Sequence, residues 1–305
     1  MTGAWTQAAK PASWPKLLVP FALGQAIGLA DGEPSLAGFA FGLAFTVLNL
    51  LFIVFLNDWG DREVDAIKRR MFPASSPKTI PDGVLPAHRL LLAGILAGLA
   101  ALGLAVLASA VLDRPWFVPL AALSLCVFVA YTLPPLRLNY RGGGEFLEML
   151  GVGVLLPWTQ SYLQGGELLA PGLWLLPGFT LLSLASAVAS GLSDERSDRA
   201  GGKRTFVTAF GNRVGRRTVE ALTMLGALAW AATAMWCDAM PVWVAGPGAL
   251  VAFWYAGATV SESGRAQTDR FAALRRYKAA LHHAIWRGAL TAAMFLATWH
   301  LLAPD

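Results

Sequence analysis

Two short acid-rich stretches carry the chemistry that this sequence can do. The first is Asn57-Asp58-Trp59-Gly60-Asp61-Arg62-Glu63-Val64-Asp65, and the second is Asp194-Glu195-Arg196-Ser197-Asp198; each ends a long apolar run. If the preceding helix continues through the first stretch, Asp58, Asp61 and Asp65 fall at i, i+3 and i+7 on one face. Asp194 and Asp198, at i and i+4, align in the same way. Two carboxylates about 4 Å apart repel by roughly 4 kcal/mol at an effective dielectric near 20. Such stripes therefore require a cation, or their pKa values rise. Oxygen ligands of this kind suit Mg²⁺, which binds through a few carboxylates and substrate phosphates. The histidine and thiolate ligands that zinc prefers are absent from both stretches.

Cations follow each acidic stretch. Lys68, Arg69, Arg70 and Lys78 come after the first, and Gly201-Gly202-Lys203-Arg204-Thr205 after the second. Acid for metal and base for phosphate oxygen is the combination that a metal–diphosphate site requires, and Gly201 and Gly202 let backbone approach an anion. The plainer reading is a pair of solvated charge runs, each neutralised by its own arginines. For any single Lys or Arg the plainer reading is positive-inside topology, and it is preferred for Arg69, Arg213, Arg216 and Arg217. The two stretches together, alike in spacing and on one membrane side, favour a shared site.

The elements that position these residues are apolar. Of 305 residues, 56% are hydrophobic and 14% charged, with a mean hydropathy of +0.53. A soluble domain carries about 25% charged residues. Nine apolar segments are legible: Leu17–Ala30, Leu36–Leu56, Leu90–Leu112, Trp116–Leu133, Phe146–Leu163, Leu173–Leu192, Val219–Trp236, Val242–Val260 and Ala284–Leu302. Period-two alternation is absent, so the predicted fold is an all-α membrane bundle of about nine spans, one domain over 1–305, with the acidic loops as a cap. No signal-peptide pattern opens the chain, and the first apolar run is read as a retained helix. Cys126 and Cys237 both sit in apolar runs, which argues against a disulfide or thiolate site.

Charge sets the expected orientation. Of the 24 Lys and Arg residues, all but Arg114 fall on the side that carries the N-terminal tail and the loops after the second, fourth, sixth and eighth segments. Such loops stay cytoplasmic, so the N-terminus and both acidic loops are expected in the cytoplasm of a bacterial-type cell. A basic rim against anionic lipid accounts for the pI near 9.5 without nucleic acid as a partner. The external connections, Asp31–Ser35, Asp113–Pro115, Gly165–Gly172 and Cys237–Pro241, are short, whereas the acidic loops are long and charged.

These residues resemble the UbiA superfamily of intramembrane prenyltransferases. Its first motif, N-D-x-x-D-x-x-x-D, is matched by Asn57, Asp58, Asp61 and Asp65. Its second, D-x-x-x-D-x-x-x-G-K-x-T, is matched by Asp194, Asp198, Gly202, Lys203 and Thr205, with Phe210-Gly211 beyond. Tyr131 to Arg137 and Gly142 to Glu145 are similar to the corresponding loop of the naphthoquinone-prenyltransferase-like branch. Ser190-Gly191-Leu192-Ser193 departs from the N-N-x-R of that branch, and a Ser-Pro-Lys-Thr stretch around Lys78 replaces its Arg-Pro; both leave the metal motifs intact. The resemblance implies a central cavity open to lipid and a prenyl transfer dependent on Mg²⁺, with two ions expected. The implied partners are an isoprenyl diphosphate and a small aromatic acceptor within membrane lipid.

On that basis Asn57, Asp58, Asp61, Asp65, Asp194 and Asp198 are the expected metal shell, with Asp61, Asp194 and Tyr131 as catalytic candidates. Lys78, Arg137, Lys203 and Arg204 are the diphosphate candidates. Tyr131 either turns its ring to a cation or its hydroxyl to the diphosphate, or else it is an interfacial belt residue. Asn49, eight residues before Asn57 and on nearly the same face, either lines the acceptor pocket or bonds a neighbouring helix. His282 and His283 are read as interfacial. Two other functional classes share these motifs: a terpene cyclase of the same superfamily, and a divalent-cation carrier. Against the carrier, the acids lie in loops rather than at midplane on broken helices.

Overall fold

A computed structural model describes residues 2–30, 32 and 34–302; Met1, and Asp31 and Glu33 of the predicted external connection Asp31–Ser35, lie outside the described residues. In chain order the helices are α1 (Thr2–Ala8), α2 (Pro15–Ala30), α3 (Leu36–Gly60), α4 (Arg62–Met71), α5 (Ala87–Leu112), α6 (Phe117–Thr132), α7 (Leu138–Arg141) and α8 (Gly144–Glu148). A π-helical stretch, Met149–Leu155, leads into α9 (Leu156–Gly165). There follow α10 (Leu176–Gly191), α11 (Glu195–Ala200), α12 (Phe206–Trp236), α13 (Val242–Ser263) and α14 (Phe271–Leu302). Every predicted apolar segment is helical, and no strand occurs among the described residues.

Five of these helices, those ending at Gly60, Leu112, Gly191, Trp236 and Ser263, are long and apolar enough to cross a membrane, while α2 and α6 are shorter apolar helices. Large apolar side chains face outward along them, Leu99 on α5 and Trp254 on α13 among them. Lipid, not water, is the solvent that tolerates such a surface.

The helices close into a ring. Its contacts run α2–α3–α5–α6, then through α8 and the π-helix to α10, and on through α12, α13 and α14 back to α2. One core joins α2 with α10, α12, α13 and α14 and is filled by Phe179, Trp230 and Tyr277. A second joins α3, α5, α6 and α9 around Phe45, Phe52 and Phe117. The seam between α2 and α9 is close: a Cβ on Gly24 would lie 2.3 Å from the Pro157 carbonyl oxygen, and one on Gly28 2.3 Å from that of Ser161. Small residues of this kind let helix backbones meet where no water drives them together. Gln25 and Gln160 exchange a 3.0 Å hydrogen bond across the seam.

Two elements differ from the sequence expectation. The helix carrying the first motif does not run through it: α3 ends at Gly60, Asp61 adopts φ −94°, ψ 3°, and α4 begins at Arg62. The segment Phe146–Leu163 is not one α-helix but passes through the π-helical stretch. Pro157 has no N–H to give to the Gly153 carbonyl, and its ring crowds the turn before it; Thr180 Oγ1 donates to that carbonyl instead, at 3.3 Å. The N-terminal tail forms α1 and packs on the bundle. Trp5 packs edge-on against Phe55 at 5.8 Å, and Ala8 is buried in a third core with Leu17, Leu50 and Leu85.

Candidate active site

The break at Asp61 separates the first-motif acids. Asp58, on the last turn of α3, is 3% exposed and pairs with Lys10, while its Oδ2 has no hydrogen-bond partner. Asp61 accepts from Lys203 Nζ at 2.8 Å and from Asn139 Nδ2 at 3.4 Å. Asp65, on α4, pairs with Lys78 at 2.5 Å. Asp194 immediately precedes α11, makes no side-chain cap to it, and pairs with Lys68. The backbone N–H of Asp198 donates to the Asp194 carbonyl at 2.7 Å, as the i, i+4 spacing requires. Helices α4 and α11 pack against each other above the ring, and the Lys68–Asp194 pair joins the two motifs directly.

Beneath this cap lies a cavity of about 320 Å³. Asn57, Asp61, Asp194, Asp198 and Lys203 form its polar mouth, and its walls are apolar, with Leu50, Val54, Val127, Phe128 and Leu156 among them. Asn49 and Tyr131 also line it, with the Tyr131 ring stacked on Phe128 at 5.7 Å and Asn49 Oδ1 without a hydrogen-bond partner. Asp58, Asp65, Lys78, Arg137 and Arg204 stand behind the wall or outside it. Arg137 closes the end of α3, donating to the Gly60 carbonyl at 2.6 Å and lying 3.6 Å over the Tyr140 ring. Arg204 is exposed, and its backbone N–H donates to the Tyr140 carbonyl at 3.0 Å.

The charges at the mouth are tightly balanced. Burial pushes the Asp198 carboxyl up to about 7; Lys203 opposes the rise, and Asp194 and Asp61 add to it. Burial acts in the same direction on Asp194, but Lys68 and Lys278 outweigh it and hold that carboxyl at about 2. Burial works against charge on Lys78, yet Asp65, with Asp194 beyond it, keeps the ammonium above the ordinary lysine value. Lys203 is raised likewise, against its burial, chiefly by Asp61.

Whether these residues suit Mg²⁺ can be judged from the donors. They are carboxylate and amide oxygens, the set that a hard cation takes. The orphaned Asp58 Oδ2 is an oxygen left open to a cation. As arranged here, however, no group of three or more His, Cys, Asp or Glu side chains converges closely enough to hold a metal among the described residues. Lysines stand on the acids instead: Lys10 on Asp58, Lys78 on Asp65, Lys203 on Asp61 and Lys68 on Asp194. The donors fit the ion once those ammonium groups give way to it.

Sequence reasoning did not single out Lys10, Asn139 or the cavity positions of Lys16 and Glu148. Asn139 lies on α7, directly after the stretch Tyr131 to Arg137, so its neighbourhood was legible; Lys10 carried no local signal. Glu145, by contrast, accepts from the Phe206 N–H at 2.7 Å and fastens the start of α12.

Comparison with known proteins bears on the fold and the family. A 1,4-dihydroxy-2-naphthoate octaprenyltransferase of Mycobacterium leprae is 27% identical over 220 residues, covering 72% of this chain and 73% of that protein. A chloroplastic chlorophyll synthase of Oryza sativa subsp. japonica is 30% identical over 160 residues, which is 51% of this chain and only 40% of that protein. Among solved structures, a UbiA homolog from Archaeoglobus fulgidus bound to GPP and Mg²⁺ superposes with a TM-score of 0.71 at 16% identity, covering 95% of this chain and 99% of that one. A UbiA homolog from Aeropyrum pernix K1 gives 0.67 at 16% identity, covering 90% and 96%. The membrane bundle is thus a shared fold, and since the sequence model of the UbiA prenyltransferase family matches residues 17–283, both acidic loops included, the chain belongs to that family.

Proposed function

We propose that this protein transfers a prenyl group from an isoprenyl diphosphate to a small aromatic acceptor, in a reaction dependent on Mg²⁺ within the membrane. One observation carries the reading: acids from both loops, Asp61, Asp194 and Asp198, open onto the same apolar-walled cavity. A charged head and an apolar tail on one substrate suit such a site, and an apolar ion carrier path does not need it. The whole described chain would act as one domain, with its N-terminus and acidic loops in the cytoplasm. The naphthoate octaprenyltransferase relative and the neighbour bound to GPP and Mg²⁺ support the substrate class.

Asn57, Asp58, Asp61, Asp65, Asp194 and Asp198 would hold the metal, two ions in this reading, directly or through water. When bound, Mg²⁺ supplies Lewis acidity to the diphosphate oxygens as the prenyl C1–O bond breaks. Lys203 and Lys78, released from Asp61 and Asp65, take phosphate oxygens in their place, and Arg137 and Arg204 add charge at the rim. Tyr131 and Phe128 present aromatic faces to the carbon that becomes cationic. The apolar wall holds the tail and excludes water, which would otherwise capture that carbon. Asn49, which lines the wall, would be an acceptor contact.

The test uses purified protein with isoprenyl diphosphates of several chain lengths and a panel of phenols, naphthoates and quinolones. Prenylated aromatic and diphosphate are expected together, only when Mg²⁺ and acceptor are both present, with chelator abolishing the product and Mg²⁺ restoring it. Full turnover in metal-free buffer would overturn the metal reading. A cyclic hydrocarbon formed from the diphosphate alone would replace transfer with cyclisation.

A further inference from the structure

The outer seam between α13 and α14 holds a charged side chain that the cavity does not use. Arg287 is exposed, and it lies less than one turn past Ala284, where the apolar run of α14 begins. Leu290 and Met294, at i+3 and i+7 on the same face, are exposed apolar side chains, as is Trp254 on the neighbouring α13. That face therefore meets lipid, where a charge is costly unless it finds a partner. A helix side chain leans toward the N-terminus of its own helix. For Arg287 this is the end that follows the charged loops, so the guanidinium reaches toward the headgroups of the leaflet there.

The partners that the protein supplies do not neutralise it. Arg287 Nη1 donates to the Tyr255 hydroxyl, and the guanidinium stands 5.2 Å from the centre of the same ring. Among the described residues no carboxylate pairs with it, whereas Arg276, nearer the loops on α14, meets Glu262 at 3.3 Å. A guanidinium has five N–H donors, and a phenol that accepts one hydrogen bond still has its own proton to give. His283, one turn before Arg287, packs its ring edge-on against Tyr255 at 5.3 Å. The cluster is thus rich in donors, positively charged and without an anionic acceptor. It suits phosphate oxygen, and phosphate at that depth belongs to lipid. A headgroup that carries its own ammonium gains less, because no carboxylate in the cluster receives it.

We propose that Arg287, Tyr255 and His283 bind the phosphodiester headgroup of an anionic phospholipid. The acyl chains of that lipid lie along the exposed apolar face that Leu290 and Met294 continue. None of the three residues lines the cavity, so the site is separate from prenyl transfer and does not rest on it.

Native mass spectrometry of the full-length protein in neutral detergent reads bound lipid directly. The probes are phosphatidylglycerol and phosphatidylcholine with identical acyl chains, each with and without an excess of ammonium phosphate. One phosphatidylglycerol should bind about tenfold tighter than phosphatidylcholine, the size expected of a hydrogen bond to a charged group, and phosphate should not displace it. Arg287→Leu places an apolar side chain on a lipid-facing helix, which the bilayer tolerates, and should bind the two lipids alike. Tyr255→Phe keeps the charge and the shape of the seam and should weaken the preference several-fold, a comparison that stands even if the leucine variant is not recovered. Equal binding of both lipids by wild type would reduce Arg287 to a side chain that meets any headgroup, and would overturn the site. So would a preference that persists undiminished in both variants, or displacement of the lipid by phosphate, which would mark a free-anion site. Absence of prenyl transfer, with the lipid preference intact, would count against the transfer reading and leave this site standing.

Discussion

Lysine, more than arginine, neutralises the two acidic loops. Four ammonium groups sit on four motif aspartates, and they reach them from four different parts of the chain, Lys10 from the N-terminal tail and Lys203 from beyond α11. A point charge on a flexible stem can leave one oxygen for another, which the planar fork of arginine does less readily. Asp61 and Asp194 both open on the cavity and belong to different motifs. Asp61→Asn and Asp194→Asn should each lower turnover by about 100-fold or more, the scale of removing one preorganised electrostatic contact. The double variant should be little worse than either single, because groups acting as one unit are strongly non-additive. Substantial activity in Asp194→Asn, measured on monodisperse protein, would leave the second loop as a solvated charge run. Lys78→Ala should weaken diphosphate binding only several-fold, about 1 kcal/mol, since Lys203 and Lys68 stand near. The acids were legible in the sequence because helical spacing alone aligns Asp194 with Asp198. Lys68, Lys78 and Lys203 were legible too, as cations following the acids, but the long-range pairing was not: Lys10 and Asp58 are 48 residues apart and Lys68 and Asp194 are 126 apart, and only the closed ring brings them together.

At the scale of elements, prolines and glycines decide where the helices bend and how closely they meet. The apolar runs were legible because membrane helices must be long and apolar, whereas the π-helical stretch was hidden. Its cause, Pro157, was in view, but the compensating donor, Thr180, comes from another helix. Thr180→Val should therefore cost about 1 kcal/mol of stability, since Gly153 would lose its donor, with Thr180→Ser restoring it; thermal unfolding in detergent reads both. An unchanged melting temperature in Thr180→Val would mean that the carbonyl finds another partner. Gly28→Val should be harsher, about 1–3 kcal/mol, because the new side chain meets backbone, the Ser161 carbonyl oxygen, and overpacking forces α2 from α9. The first-motif break at Asp61 also escaped the sequence. The backbone hydrogen bonds Asp61 N–H to Asn57 and Asp65 N–H to Asp61 persist through it, so the local signal was that of one continuous helix.

For the molecule as a whole, the issue is which side of the membrane the cavity mouth faces. Contacts gather the charged loops at one end of the ring: Arg196 pairs with Asp269 at 2.5 Å, Thr268 donates to Glu195 at 2.6 Å, and Phe72 meets Phe271 edge-on at 5.1 Å. The short connections gather at the other end, where Thr233 donates to the Trp174 carbonyl at 3.0 Å and the Arg114 guanidinium lies against Gly166. The separation of the two ends agrees with the loop-charge asymmetry, and on that asymmetry we propose that the basic end faces the cytoplasm. In a background with Cys126 and Cys237 replaced by alanine, cysteines at Pro115 and Arg270 report the two ends; both positions are exposed. An impermeant thiol reagent added to intact cells should label Pro115→Cys and spare Arg270→Cys, and permeabilised cells should label both. The opposite pattern would turn the mouth outward and remove the cytoplasmic supply of prenyl diphosphate on which the proposed reaction depends. Labelling of both in intact cells would mean that the two ends of the ring are not separated by the bilayer at all, so that an odd number of crossings could not hold.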